Sequence, residues 1–195
     1  MYYQDIQRCP PKSYPYIINE GDSLDTISQK FNVPIEKLIR FNANIDPYNL
    51  IIGQKICIPK LWEPYTNDRY NISFMYPTTW KEVSNRRCEG PNGYFEIAAI
   101  SSKKNIMDVC KNEAYRKNRN YGEHCKFINL DIQKCPTVLI IPSNDQPYEM
   151  KKLSALIVQY PKPINISGKS YNYFILWSSR SYIRQIGASL NFLVY

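Results

Sequence analysis

A short apolar run, Tyr16-Ile-Ile-Asn19, reads as a strand and is closed by Glu20-Gly21-Asp22, where glycine permits a turn. The apolar spacing then lengthens. Leu24, Ile27 and Phe31 fall at i, i+3 and i+7 on one helical face, with Asp22 or Ser23 placed to accept hydrogen bonds from the first-turn amides and Asp25 at the positive end of the dipole. Pro34 opens a second helix with Ile35, Leu38 and Ile39 apolar. Asn42-Ala-Asn-Ile-Asp-Pro47 is loop chemistry, and Lys55-Ile-Cys-Ile-Pro59 is a short strand closed by proline. The pattern predicts a βααβ unit over residues 16–59 whose two strands pair with each other. Residues 1–15 are polar and proline-containing and are expected to form an irregular lead-in.

Residues 60–69 read as a linker, and a second domain is expected over 70–195. Its strand-like runs are Ile72–Tyr76, Tyr94–Ser101, Lys126–Ile132, Val138–Pro142, Ser154–Tyr160 and Tyr171–Trp177. Asn105 is placed to cap a helix from Ile106 to Lys117, and Ser181 to cap a final helix that packs Tyr182, Ile183, Ile186 and Leu190 inward. Strands interrupted by two helices imply an α+β class, with a largely antiparallel sheet in an α/β sandwich.

Charge sharpens this division. Residues 1–61 carry 7 Lys+Arg and 6 Asp+Glu out of totals of 25 and 17, leaving 18 and 11, or +7, on residues 62–195. That excess would draw polyanions such as an anionic wall polymer, or a protein partner. No helix-turn-helix, zinc-finger or RNP-like pattern accompanies it, so nucleic acid is not the expected partner. No apolar stretch is long enough for a spanning helix, and the start lacks the basic-then-apolar pattern of a secretory leader. The six cysteines include no Cys-x-x-Cys pair and the only histidine is His124, so neither metal nor cofactor is expected. Disulfides are the better expectation, above all Cys9 with Cys57, which flank a unit too small for a generous core. Synthesis in a reducing cytosol followed by deposition in an oxidising shell would reconcile that pair with the missing leader.

The run Tyr16-x4-Gly21-Asp22-Ser23-Leu24-x2-Ile27-x3-Phe31, then Leu38-x3-Asn42, then Asn49-Leu50-x2-Gly53-Gln54-x-Ile56-x-Ile58-Pro59 resembles the LysM consensus from end to end. Ala43 departs from it, standing where the family has proline after asparagine. The resemblance implies a module that binds peptidoglycan, chitin or another N-acetylglucosamine polymer at a cell wall or spore envelope. By position it implies a furrow between Gly21-Asp22-Ser23-Leu24 and Ala43-Asn44-Ile45-Asp46, where backbone groups pair with the sugar's amide and hydroxyls while Leu24 and Ile45 shelter its methyl. Each of these residues also has a structural duty available in the turn, the helix cap or the core. In the second domain, Asn71-Ile-Ser-Phe-Met-Tyr-Pro77-x2-Trp80, Gly93-Tyr94-Phe95 and Tyr171-Asn-Tyr-Phe-Ile175 are similar to a PsbP-like domain that accompanies LysM in spore-forming bacteria, which implies no known activity.

The competing expectation is a wall hydrolase. His124 beside Cys125 is the visible nucleophile–base pair, but neighbours on a strand point to opposite faces, and no His-Glu-x-x-His or Gly-x-Ser-x-Gly occurs. A non-catalytic binding protein is therefore the primary expectation.

Overall fold

Four short elements build the N-terminal unit: β1 (Ser13–Ile17), α1 (Leu24–Phe31), α2 (Ile35–Phe41) and β2 (Lys55–Pro59). The computed structural model describes residues 9–116 and 119–193. The chain divides between Glu63 and Pro64 into two compact units. In the first, β1 and β2 pair antiparallel, from Ser13 opposite Pro59 to Ile17 opposite Lys55. Ile18, Leu24, Ile27, Val33, Leu38, Ile56 and Ile58 close a core between strands and helices. Each such side chain contributes roughly 1.5–3 kcal/mol by leaving water.

Residues 1–8 of the expected lead-in lie outside the described residues, but Ser13-Tyr14-Pro15 belong to β1. Pro15 obscured the strand, because proline cannot donate to a ladder. It faces Cys57, whose N–H and C=O turn the other way, onto the side chain of Asn42: Cys57 N donates to Oδ1 at 2.7 Å, and Nδ2 donates to Cys57 O at 2.8 Å. Nδ2 also donates to Leu38 O at 2.7 Å. Asn42 was expected as a loop residue; it is instead a buried clamp joining α2 to β2.

Cys9 and Cys57 are disulfide-bonded across 48 positions. In the chain-entropy model a loop of that length restricts the unfolded state by about 4 kcal/mol. Among the described residues no second disulfide accompanies it: Cys88, Cys110, Cys125 and Cys135 are thiols. Cys110 is packed inside the α3 cluster described below, while Cys88 lies on a separate strand.

The second unit begins within β3 (Trp62–Asn67) and continues with a 3-10 turn at Asp68–Tyr70, β4 (Ile72–Pro77), β5 (Lys81–Ser84), β6 (Arg87–Gly90), β7 (Gly93–Ile100), α3 (Ile106–Ala114), the short pair β8 (Tyr115–Arg116) and β9 (Arg119–Asn120), β10 (Lys126–Ile132), β11 (Cys135–Ile141), α4 (Tyr148–Lys151), β12 (Leu153–Ile166), β13 (Lys169–Ser179), α5 (Ile183–Ala188) and β14 (Asn191–Phe192). Seven strands form one sheet in the order β10-β11-β12-β13-β7-β6-β5, with antiparallel neighbours throughout. The fold is α+β. On one face Val138, Ile140, Ala155, Ile157, Ile175 and Trp177 pack with Val109, Cys110 and Ala114 of α3. On the other, Phe74 of β4 meets Phe95 with ring centroids 4.9 Å apart, and Tyr160 meets Phe192 of β14 at 5.3 Å. Gly187 of α5 lies so close that an added Cβ would come within 2.7 Å of Leu156 Cδ2.

The expected linker at 60–69 is mostly β3. Pro64 and the polar neighbours masked Tyr65, whose ring packs 5.0 Å from Phe74 and 4.8 Å from Phe95. Strand β5 gave no periodic signal because all four of its residues are exposed. Helix α3 ends at Ala114, and the expected end near Lys117 lies outside the described residues; α5 begins without a side-chain cap, so Ser181 does not serve as one.

Replacing Asn42 by Ala strands the Cys57 amide and two carbonyls inside the core, a loss of about 2 kcal/mol. Amide exchange at Ile56 and Cys57 in the full chain should accelerate roughly 30-fold, with the second unit's amides unaffected. Unchanged protection of β2 would contradict the clamp.

Candidate functional site

The first loop is built by a turn, Asn19-Glu20-Gly21-Asp22, closed by Asp22 N donating to Asn19 O at 3.1 Å. Gly21 sits at φ 82°, a backbone angle costly for any side chain, although a Cβ there would meet nothing within 4 Å. Asp22 Oδ2 accepts from Asn19 N and from Tyr16 Oη, both at 2.7 Å. Tyr16 Oη in turn accepts from Lys30 Nζ at 2.9 Å. The backbone amide of Asn19, then the Tyr16 hydroxyl, hold the Asp22 carboxyl below its usual range, and the same hydroxyl raises Lys30. Ser23 caps α1: its Oγ accepts from Thr26 N at 3.2 Å, while Thr26 Oγ1 accepts from Ser23 N at 2.8 Å.

Two of the expected contact residues are thus committed to local structure, and Leu24 is buried, only 6% exposed. Leu24 belongs to the module's core, and its burial leaves it poorly placed to shelter a sugar methyl. What the first loop offers outward is the exposed backbone around Gly21.

In the second loop Ala43, Asn44 and Asp46 are exposed, while Ile45 is half-buried against the core that holds Leu24. Ile45 N donates to Asn42 O at 3.0 Å, and Asp46 Oδ1 accepts from Tyr48 N at 3.0 Å. The hydrogen bonds that tie the start of the first loop to the chain after α2 lie further along. Ile18 N donates to Gln54 O at 2.9 Å and Gly53 N to Ile18 O at 2.8 Å, so residues 51–54 lie against the start of the first loop. Ile51 and Ile52 there are 63% and 64% exposed, and Tyr48 is 98% exposed. Sequence reasoning singled out none of these three. The available signal was an apolar run placed outside either helix or strand period.

Among the described residues no group of three or more His, Cys, Asp or Glu is arranged to hold a metal ion, and no helix is long and apolar enough to cross a membrane. Burial pushes the Cys110 thiol up to about 12 and also raises Cys125 and Cys135. His124 lines a cleft with Ser143 and Asp145, whereas Cys125 packs toward α3, so the two adjacent side chains diverge.

The geometry agrees with relationships to known proteins. A family model described as LysM domain matches residues 16–59. The secreted LysM effector Blys4 of Beauveria bassiana (strain ARSEF 2860) is 33% identical over 52 residues, which is 27% of this chain and 30% of that protein. The chain thus spans less than a third of that relative's length. An overlay on cyanobacterial PsbP (CyanoP) from Synechocystis sp. PCC 6803 covers 67% of this chain and 92% of that one at 12% identity, with a TM-score of 0.34; at that level neither fold nor role transfers. Residues 16–59 are a LysM domain, a carbohydrate-binding type of module.

The Asp22 carboxyl is lowered in the folded state, so its contribution to loop stability is present above the ordinary carboxyl range and fades as pH falls through the folded value. A carbon-detected NMR titration should find the Asp22 midpoint below the ordinary range, with the Asn19 amide following the same curve. Tyr16→Phe should move that midpoint upward. An ordinary midpoint in the unmodified protein would contradict the network.

Proposed function

We propose that the LysM domain binds N-acetylglucosamine-containing glycan, peptidoglycan or chitin, in the furrow between its two loops, and thereby anchors the basic second unit at a cell wall, the envelope of a spore included. The observation that carries this is the pairing of Ile18 with Gly53 and Gln54, which ties the start of the first loop to the stretch that carries the exposed Ile51 and Ile52. An N-acetyl sugar asks for that combination: hydrogen-bonding groups for its amide and hydroxyls, and an apolar contact for its methyl. Within the furrow Gly21, Ala43, Asn44 and Asp46 contact the sugar mainly through backbone and short side chains. Asp22, Ser23 and Leu24 hold the loop, and Ile45, Ile51 and Ile52 give the apolar contact. A furrow this small supports an affinity in roughly the micromolar to millimolar range.

The protein acts in this reading as a binder and not as a hydrolase. Thiols raised by burial are protonated near neutral pH and therefore poor nucleophiles, and Cys125 and His124 face apart.

Titrating the full chain with chito-oligosaccharide should shift the amides of residues 19–24 and 43–54 together. Ile51→Ser, at an exposed position, should weaken binding by about fivefold without altering the fold, consistent with loss of one apolar contact. Incubation with insoluble peptidoglycan should sediment the protein without releasing soluble sugar or peptide. Loop amides that stay still at millimolar oligosaccharide would remove the glycan assignment, and released product would replace anchoring with hydrolysis.

A further inference from the structure

On the α3 face of the seven-stranded sheet, the helix packs over β11 and β12. Beside it a cleft of about 660 Å³ opens over β13 and the end of β7, with Ala98, Ile100 and Tyr171 in its lining. Two cations line it from different elements, Arg116 just after α3 and Lys169 at the start of β13.

The carboxylate in this cleft is already occupied. Glu113 is 3% exposed. Its Oε1 accepts from Trp177 Nε1 at 2.7 Å and its Oε2 from Arg116 Nη1 at 3.1 Å. A buried carboxylate held on both oxygens acts as a tether. It fixes one edge of the Arg116 guanidinium and leaves the rest of that planar donor fork for something else. The Arg116 side chain is itself 63% exposed, so the arrangement gives it direction without covering it. Lys169 sits 5.5 Å from the centre of the Tyr171 ring and has no ion pair among the described residues. The cleft therefore carries two cations against one anion that is already satisfied.

Asn112 and Ser101 line the same space and can hydrogen-bond hydroxyls, while Ala98, Ile100 and the Tyr171 ring offer the apolar surface on which a pyranose ring packs. We infer that this cleft binds an acidic oligosaccharide, with separate carboxylates meeting Arg116 near one end and Lys169 near the other, and sugar rings packing over Ala98, Ile100 and Tyr171 between them. A planar carboxylate matches the guanidinium fork. The surrounding excess of +7 on residues 62–195, from 18 basic and 11 acidic side chains, favours approach of an acidic polymer. The site lies wholly within the second unit and does not depend on glycan binding by the LysM domain.

The test is a titration of the full chain with oligogalacturonate, followed through the Trp177 indole N–H and the amides of Ala98 and Asn112. These signals should move, and raising the salt concentration should weaken the effect. Arg116→Gln and Lys169→Gln should each lower affinity about tenfold. Lys169 is exposed and has no ion pair among the described residues, so its variant should leave the remaining spectrum unchanged; Arg116 also holds the buried Glu113, so Arg116→Lys, which keeps that charge but not the planar fork, is compared with Arg116→Gln to separate lost binding from local rearrangement. Chito-oligosaccharide should leave the cleft signals still. The inference is overturned if oligogalacturonate moves none of these signals, if both variants bind as well as the parent, or if inorganic phosphate produces the same shifts at the same concentration. Loss of chito-oligosaccharide binding in the LysM domain would leave all these readouts standing.

Discussion

The N-terminal unit depends on one amide side chain. A two-stranded sheet leaves an outer edge of backbone groups unpaired, and in a unit this small that edge runs into the core. At Cys57 the edge is closed by Asn42, which accepts from the N–H and donates to the C=O as a neighbouring strand would. The third bond, to Leu38 O, engages a carbonyl near the end of α2. Only a primary amide offers donor and acceptor in that geometry. The same arrangement explains how Pro15 is accommodated, since its partner Cys57 directs its polar groups away from β1. With β2 fixed, Ile56 and Ile58 complete the core and the disulfide to Cys9 has a rigid anchor.

Rigidity of the frame decides which residues remain for recognition. Capping α1 uses Ser23, closing the first turn uses Asp22, and filling the core uses Leu24. Each is a strong structural commitment: Ser23 and Asp22 stay at the surface with their polar groups engaged in the fold, and Leu24 is buried. The apolar groups left uncovered, Ile51 and Ile52, lie in a stretch stapled to Ile18 by backbone hydrogen bonds. Exposed isoleucines held on fixed backbone lose little further entropy on binding, which is what a small weak site needs.

Much of this was legible in the sequence where the signal was local. Helix α1 followed from the spacing of Leu24, Ile27 and Phe31 and from its cap, and the strand-like run Lys126–Ile132 is strand β10. What escaped was set by distant partners. Asn42 looks like a loop residue until Cys57 is beside it. Tyr65 looks like part of a linker until Phe74 and Phe95 are packed against it. Burial of Leu24 could be guessed from the helical face, but that same burial argued against the contact role that family position suggested. Glu113 gave no sign at all, because a glutamate four residues from a lysine on a helix reads as a solvated face until Trp177, 64 positions later, reaches its carboxylate.

The two units also differ in the kind of ligand their chemistry suits. The proposed furrow of the LysM domain is made from backbone groups and aliphatic side chains, which suits a neutral sugar and makes its binding nearly indifferent to salt. Nearly all the net charge lies elsewhere, and charge acts at long range where hydrogen bonds do not. A neutral contact sets what is recognised, while a cationic surface raises the local concentration of any acidic polymer and speeds encounter. Under the two proposed roles the attachments respond to different conditions: the one through the neutral furrow persists as ionic strength rises, and the one through the cationic cleft loosens.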